Sequence, residues 1–145
     1  MIHLDHIGLS VADLDAQAAW YSDALGLQAT TPFAVEDLGI RGVFLVDTQQ
    51  KWAIELLSRE GSAPGLQAPD PPTAVLTRGY GHICLRVADV DSTFEKLIAA
   101  GARERMAPRP APEPGVRMAY VADPEGHLIE LLDRPWPVGG TAEKI

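Results

Sequence analysis

The 145-residue chain has one cysteine, Cys84, so no disulfide can form within it. Positive charge is also scarce. Twelve Lys and Arg stand against 20 Asp and Glu, a net charge of −8 with the histidines neutral. A chain of that sign repels a phosphate backbone, so nucleic acid is not an expected partner. No apolar run approaches the roughly 20 residues that a membrane-spanning helix needs. No basic segment followed by an apolar run stands at the start, so no signal peptide is expected. These absences leave a soluble cytoplasmic protein as the expectation. The rest of the composition, 46% hydrophobic and 22% charged, is that of an ordinary globule. The length is sufficient for one domain with a real core.

The main internal feature is a repeat. Residues 5–15 read DHIGLSVADLD and residues 81–91 read GHICLRVADVD, with seven of eleven positions identical at an offset of 76. Ile54-Glu55-Leu56-Leu57 returns as Ile129-Glu130-Leu131-Leu132 at an offset of 75. Two echoes at nearly one offset indicate a duplicated module.

Period-two alternation predicts a strand over 4–11, with Ile7, Leu9 and Val11 on one face and His6, Gly8 and Ser10 on the other. Asp13 is placed to cap a helix whose apolar face is Leu14, Ala18, Tyr21 and Leu25, and Gly26 ends it. Strands are expected near 27–33, over 41–46 and over 52–57, the last two joined by a turn at 47–50. Residues 58–78 carry four prolines and no periodicity, and read as a surface linker. The plan then repeats: a strand over 82–87, and a helix capped by Asp89, with Val90, Phe94, Leu97 and Ile98 on its apolar face and Gly101 as its stop. A strand near 102–106 leads to a proline-rich loop at 107–115, semi-rigid and a candidate lid. Strands over 116–122 and 127–132 flank a turn at 123–126. The expected organisation is a first βαβββ module at 1–60, a linker at 61–78, a second module at 79–134 and an irregular tail at 135–145, one structural domain in all. The fold class is α+β.

Alternation puts both repeated histidines on the face away from the helices. His82 shares that face with Cys84 and Arg86. Glu55 and Glu130 each project away from apolar neighbours, and a carboxylate inside an apolar strand is costly unless paired, hydrogen-bonded or bound to a metal. If the modules pair about a pseudo-twofold axis, His6, Glu55, His82 and Glu130 can converge. Two imidazoles and two carboxylates suit one divalent ion per site: Ni, Co, Zn, Mn or Fe(II). The plain alternative is a set of polar residues on wet strand faces, copied by duplication. Yet Gly8/Cys84 and Ser10/Arg86 differ on that same face while the His and Glu do not. His3 and His127 have the opposite parity and are not expected at the site. Arg86 has the reach to hold a substrate carboxylate or phosphate, or to form a rim salt bridge. Cys84, between His82 and Arg86, reads as a small filler.

At DHIGLSVADLDAQAAWYSDALGL, YGHICLRVADVD and YVADPEGHLIELL the chain resembles the vicinal oxygen chelate superfamily, over about residues 3–133. The resemblance implies two tandem βαβββ modules forming an open, eight-stranded, barrel-like sheet around one divalent ion. It implies His6, Glu55, His82 and Glu130 as ligands, and a homodimer acting on a small molecule. A full His/Glu/His/Glu set is similar to glyoxalase I and some epimerases of the family. Extradiol dioxygenases and fosfomycin transferases lack an acid at the place of Glu55, and bleomycin-binding relatives lack the ligands. The activity so implied is that of a metal-dependent isomerase or lyase moving a proton α to a carbonyl, with Glu55 or Glu130 as base. The alternatives are a small-molecule binding or resistance protein on the same scaffold, and an Fe(II) dioxygenase. Ser10 and Arg59 stand where bacterial glyoxalase I has glutathione contacts. The stretch 35–45 resembles the epimerase region that carries an extra acid, for which Glu36 or Asp37 is the candidate.

Overall fold

The computed structural model describes residues 1–49 and 52–140. Gln50, in the expected turn at 47–50, and residues 141–145 of the expected tail lie outside the described residues. The chain divides into two compact units, Met1–Pro64 and the part from Gly65 onward.

In the first unit, β1 (Ile7–Ser10) leads to α1 (Leu14–Leu25), β2 (Gln28–Ala29), β3 (Phe33–Val35), β4 (Ile40–Asp47) and β5 (Trp52–Arg59). Asp13 caps α1 by accepting from the amide of Ala16. Gly26 closes it in the left-handed region (φ 70°), its N–H donating to Ser22 O. In the second unit, α2 (Pro71–Ala74) precedes β6 (His82–Arg86), α3 (Val90–Ala99), β7 (Arg103–Pro110), β8 (Arg117–Ala122) and β9 (Leu128–Leu132).

The two sheets share one plan. The first has the order β1-β5-β4-β2, with β3 also on β4; the second has the order β6-β9-β8-β7. In each, the first strand lies parallel to the last, and the remaining pairs are antiparallel. That crossover brings the start of each module beside its end. The cores are the opposite faces of the same strands. Leu45, Ile54 and Leu56 are buried in the first unit, and Ala119, Val121, Ile129 and Leu131 in the second. Each such side chain contributes about 1.5–3 kcal/mol when it is large and fully buried.

Four expectations need correction. The described residues form nine strands rather than eight, five in one sheet and four in the other, because the strand expected near 27–33 is two short pieces either side of Pro32. The first strand begins at Ile7, so His6 stands immediately before it. The loop expected at 107–115 starts later, since β7 runs to Pro110; β7 is an edge strand, where a missing N–H costs no ladder bond. The linker expected at 61–78 is partly built into the second unit. Asp70 caps α2 through the amide of Thr73, and Ala68 and Ala74 pack with Ala122 and Leu128. No helix among the described residues is long and apolar enough to cross a membrane.

Candidate functional site

Each unit builds the same half-site by register. Glu55 on β5 lies between Gly8 on β1 and Phe44 on β4. Glu130 on β9 lies between Cys84 on β6 and Tyr120 on β8. Residues paired across a sheet share a face. Both acids therefore leave the face opposite their buried neighbours, Ile54 and Leu56 in one unit, Ile129 and Leu131 in the other.

The histidines meet these acids. His6 Nε2 is 3.4 Å from Glu55 Oε2, and His82 Nε2 is 3.0 Å from Glu130 Oε2. Each imidazole also meets an aromatic edge at nearly the same geometry. The His6 and Phe44 centroids are 5.2 Å apart at 79°, those of His82 and Tyr120 5.3 Å apart at 78°. The acids are mostly covered, with side chains 20% and 15% exposed.

The two halves are braced differently. In the first, His6 Nδ1 lies 2.8 Å from Asp5 Oδ2. That hydrogen bond is the main reason the His6 pKa is raised; partial loss of solvent opposes it, and Glu55 adds to it. In the second, the bracing is on the carboxylate. Burial pushes the Glu130 pKa up, but hydrogen bonds from His82, Tyr120 and Cys84 outweigh it, and the net direction is down. The Tyr120 phenol is raised by burial and by the Glu130 charge, so it stays protonated. The Cys84 thiol is pushed up to about 12, first by desolvation and then by Glu130. Cys84, expected as a small filler, is exposed and paired across the sheet with Glu130.

The donor set suits a divalent ion. Ligand atoms about 2.1 Å from an ion stand roughly 3.0 Å apart at adjacent octahedral positions and about 3.4 Å apart in a tetrahedron. The N···O separations of 3.4 and 3.0 Å lie in the range that two donors on one ion span, which is also the range of a direct His–Glu ion pair. A ligand histidine whose other ring nitrogen is held by a carboxylate, as Asp5 holds His6, has a fixed tautomer and a more basic ligating atom. Among the described residues no cluster of three or more His, Cys, Asp or Glu is assembled, so each unit offers one His–Glu pair.

The other candidates lie apart from these pairs. Arg86 is exposed at the end of β6, four residues beyond His82. Glu36 and Asp37 are exposed in a 3₁₀ turn between β3 and β4. His3 is exposed near the N-terminus. His127 serves a turn: its Nδ1 lies 2.8 Å from Oδ2 of the fully buried Asp123, whose Oδ1 accepts from the amides of Glu125 and His127. Sequence reasoning missed Asp5, Phe44 and Tyr120. A signal for the last two existed, since Phe44 and Tyr120 are offset by the same 76 residues as the histidines.

Residues 3–131 match the family model described as Glyoxalase/Bleomycin resistance protein/Dioxygenase superfamily. An ethylmalonyl-CoA/methylmalonyl-CoA epimerase of Cereibacter sphaeroides is 31% identical over 134 residues, covering 88% of this chain and 95% of that protein. A probable lactoylglutathione lyase of Vibrio cholerae is 29% identical over 129 residues, covering 88% and 87%. The crystal structure of glyoxalase I from Zea mays shares the fold with a TM-score of 0.72 at 23% identity, over 91% of this chain and 44% of that one. This chain therefore spans under half the length of the maize protein. The duplicated βαβββ order and the match over nearly the whole sequence agree: the chain belongs to the Glyoxalase/Bleomycin resistance protein/Dioxygenase superfamily.

Proposed function

We propose that this protein is a divalent-metal-dependent isomerase or lyase that moves a proton on the carbon next to a carbonyl. The observation that carries the reading is the twofold recurrence of one half-site, a His–Glu pair at ligand spacing against an aromatic edge. His6, Glu55, His82 and Glu130 would hold one ion, Ni, Co, Zn, Mn or Fe(II), within one chain or across a homodimer. The barrel-like enclosure of that ion belongs to the same proposal. When bound, the ion supplies Lewis-acid stabilisation of the charge that develops on the carbonyl oxygen.

The remaining chemistry falls to side chains. A glutamate oxygen takes the α-proton and returns it to the same carbon, to its other face or to its neighbour, so the reaction is redox-neutral. Arg86 would hold an anionic part of the substrate. Glu36 or Asp37, both exposed in their turn, is the candidate for a further acid. The relatives named as epimerase and lactoylglutathione lyase support proton transfer as the shared chemistry. Glu55 disfavours the dioxygenase alternative, because a fourth protein ligand occupies a position that O₂ and a chelating substrate would need.

The test is deuterium exchange. Metal-loaded protein in D₂O is incubated with methylmalonyl-CoA, other α-substituted thioesters and the methylglyoxal–glutathione hemithioacetal, and followed by NMR. Exchange into a thioester is expected. The hemithioacetal is expected to react poorly, because Ser10 and Arg59 replace glutathione contacts. Catechol-dependent O₂ uptake by the iron form, with no exchange into any of these compounds, would overturn the reading.

A further inference from the structure

Residues paired across a sheet form rows that share a face. In the second unit Glu130 lies in the row Cys84, Glu130, Tyr120. The next row on that face is two residues along the strands, about 7 Å away. It runs Arg86, Leu132, Met118, Arg109, from one edge of the sheet to the other. Its middle is apolar, with Leu132 buried and Met118 partly so. Its two ends are guanidiniums. Both are exposed, and neither has a hydrogen bond or ion pair among the described residues. Arg117 and Arg134 of the same unit differ, being tied to Asp91 and Glu113. The first unit has the equivalent row, Ser10, Leu57, Gly42, Phe33. There the apolar middle is kept and both cations are missing. The Phe33 ring fills the place that a side chain on Gly42 would take, 5.7 Å from the Phe44 ring.

We propose that Arg86 and Arg109 form an anion subsite on the second unit, and that the substrate is a carbonyl compound bearing a carboxylate or phosphate about 7 Å from the carbon that reacts beside Glu130. Three strand spacings, about 14 Å, separate the two arginine Cα atoms. Two long side chains leaning inward can close that gap on one small anion, each offering a planar fork of donors. Leu132 and Met118 between them suit the methylene chain that joins the anion to the carbonyl. The rest of a chain of net charge −8 repels an anion, so the two free cations mark where one is accepted. The difference between the copies also sets direction. A duplicated scaffold offers a ligand two nearly equivalent orientations, and a cationic row in one copy alone removes one of them. The placing of the reacting carbon rests on the function proposed above; the anion subsite does not.

The test uses the full-length, metal-free, ¹⁵N-labelled protein, so that no bound ion competes for the anion. The probes are 6-oxoheptanoate, a ketone with a distant carboxylate; 6-oxoheptanamide, its neutral counterpart; and inorganic phosphate. By NMR titration, 6-oxoheptanoate and phosphate should each shift the side-chain Nε–H signals of Arg86 and Arg109. The amide should bind about 10-fold more weakly than the acid, the worth of one charge-assisted hydrogen bond. Arg86→Ser and Arg109→Phe install the residues that the first copy carries on the same fold. Each should weaken the acid about 10-fold and so remove its advantage over the amide. Failure of the acid to bind, acid and amide binding alike, or an unchanged Kd for the acid in the double variant overturns the subsite. Deuterium exchange by the Co(II)-loaded protein tests the underlying function separately. Exchange into the amide as fast as into the acid keeps that function and overturns the subsite. Binding at both arginines with no exchange into any carbonyl compound keeps the subsite and overturns the function.

Discussion

One hydroxyl separates Phe44 from Tyr120, and one CH₂SH side chain separates Gly8 from Cys84. The repeat made the histidines and glutamates legible, because identity at a fixed offset stands out. The residues flanking Glu130 across the sheet were less legible, since they differ between the copies and matter only once strand register sets them beside the acid. Small residues in these sheets differ in the same way. Gly42 on β4 faces the Phe33 ring, and a Cβ there would also lie 2.9 Å from Leu57 Cδ2. Gly8 meets nothing closer than 3.7 Å. Gly42→Ala should therefore destabilise the protein by about 1–3 kcal/mol through overpacking. Gly8→Ala should be neutral or stabilising by up to about 1 kcal/mol, by reducing unfolded-state freedom. Urea unfolding of both variants checks this, and equal midpoints would contradict the packing given for Phe33.

Among the elements, α1 and α3 were legible because each begins at an aspartate and ends at or next to a glycine around an apolar stripe. The caps are real: Asp13 accepts from Ala16 and Asp89 from Ser92. Elements whose local composition argued against them were not legible. β7 carries prolines that only its edge position tolerates, and α2 is four residues inside a proline-rich connector. Asp89 makes a pH prediction. Its pKa is lowered, first by the backbone hydrogen bond from Ser92. A carboxylate depressed in the folded state adds stability that is full above its unfolded value of about 3.9 and is lost as pH falls through the lower folded value. Asn caps a helix about as well but carries no charge. The melting temperature of wild type should therefore exceed that of Asp89→Asn at pH 7, and the gap should close as pH drops below about 4. A gap that widened in acid would have the wrong sign for this cap. Asp70, depressed by Thr73, should behave likewise at α2.

For the whole molecule, duplication has a thermodynamic consequence. Neither unit holds more than one His–Glu pair among the described residues, and a lone bidentate pair is a weak chelate. Four donors on one ion would bind far more tightly, and only in the folded chain. Such binding stabilises by RT ln(1 + [ion]/Kd), about 2.7 kcal/mol at a free ion concentration 100-fold above Kd. For a chain of this size that corresponds to a rise of roughly 5–10 °C in melting temperature. The expected result is one ion per chain and a rise of that order with at least one of Ni, Co, Zn or Mn, reversed by chelator. His6→Ala, His82→Ala and Glu130→Ala should each remove most of the rise, because each opens the same chelate from a different corner. Two independent half-sites would behave otherwise: two ions per chain, and His6→Ala leaving the second ion in place. Thermal melts with calorimetric stoichiometry distinguish these results. A wild type indifferent to all four ions would favour the small-molecule binding alternative on this scaffold.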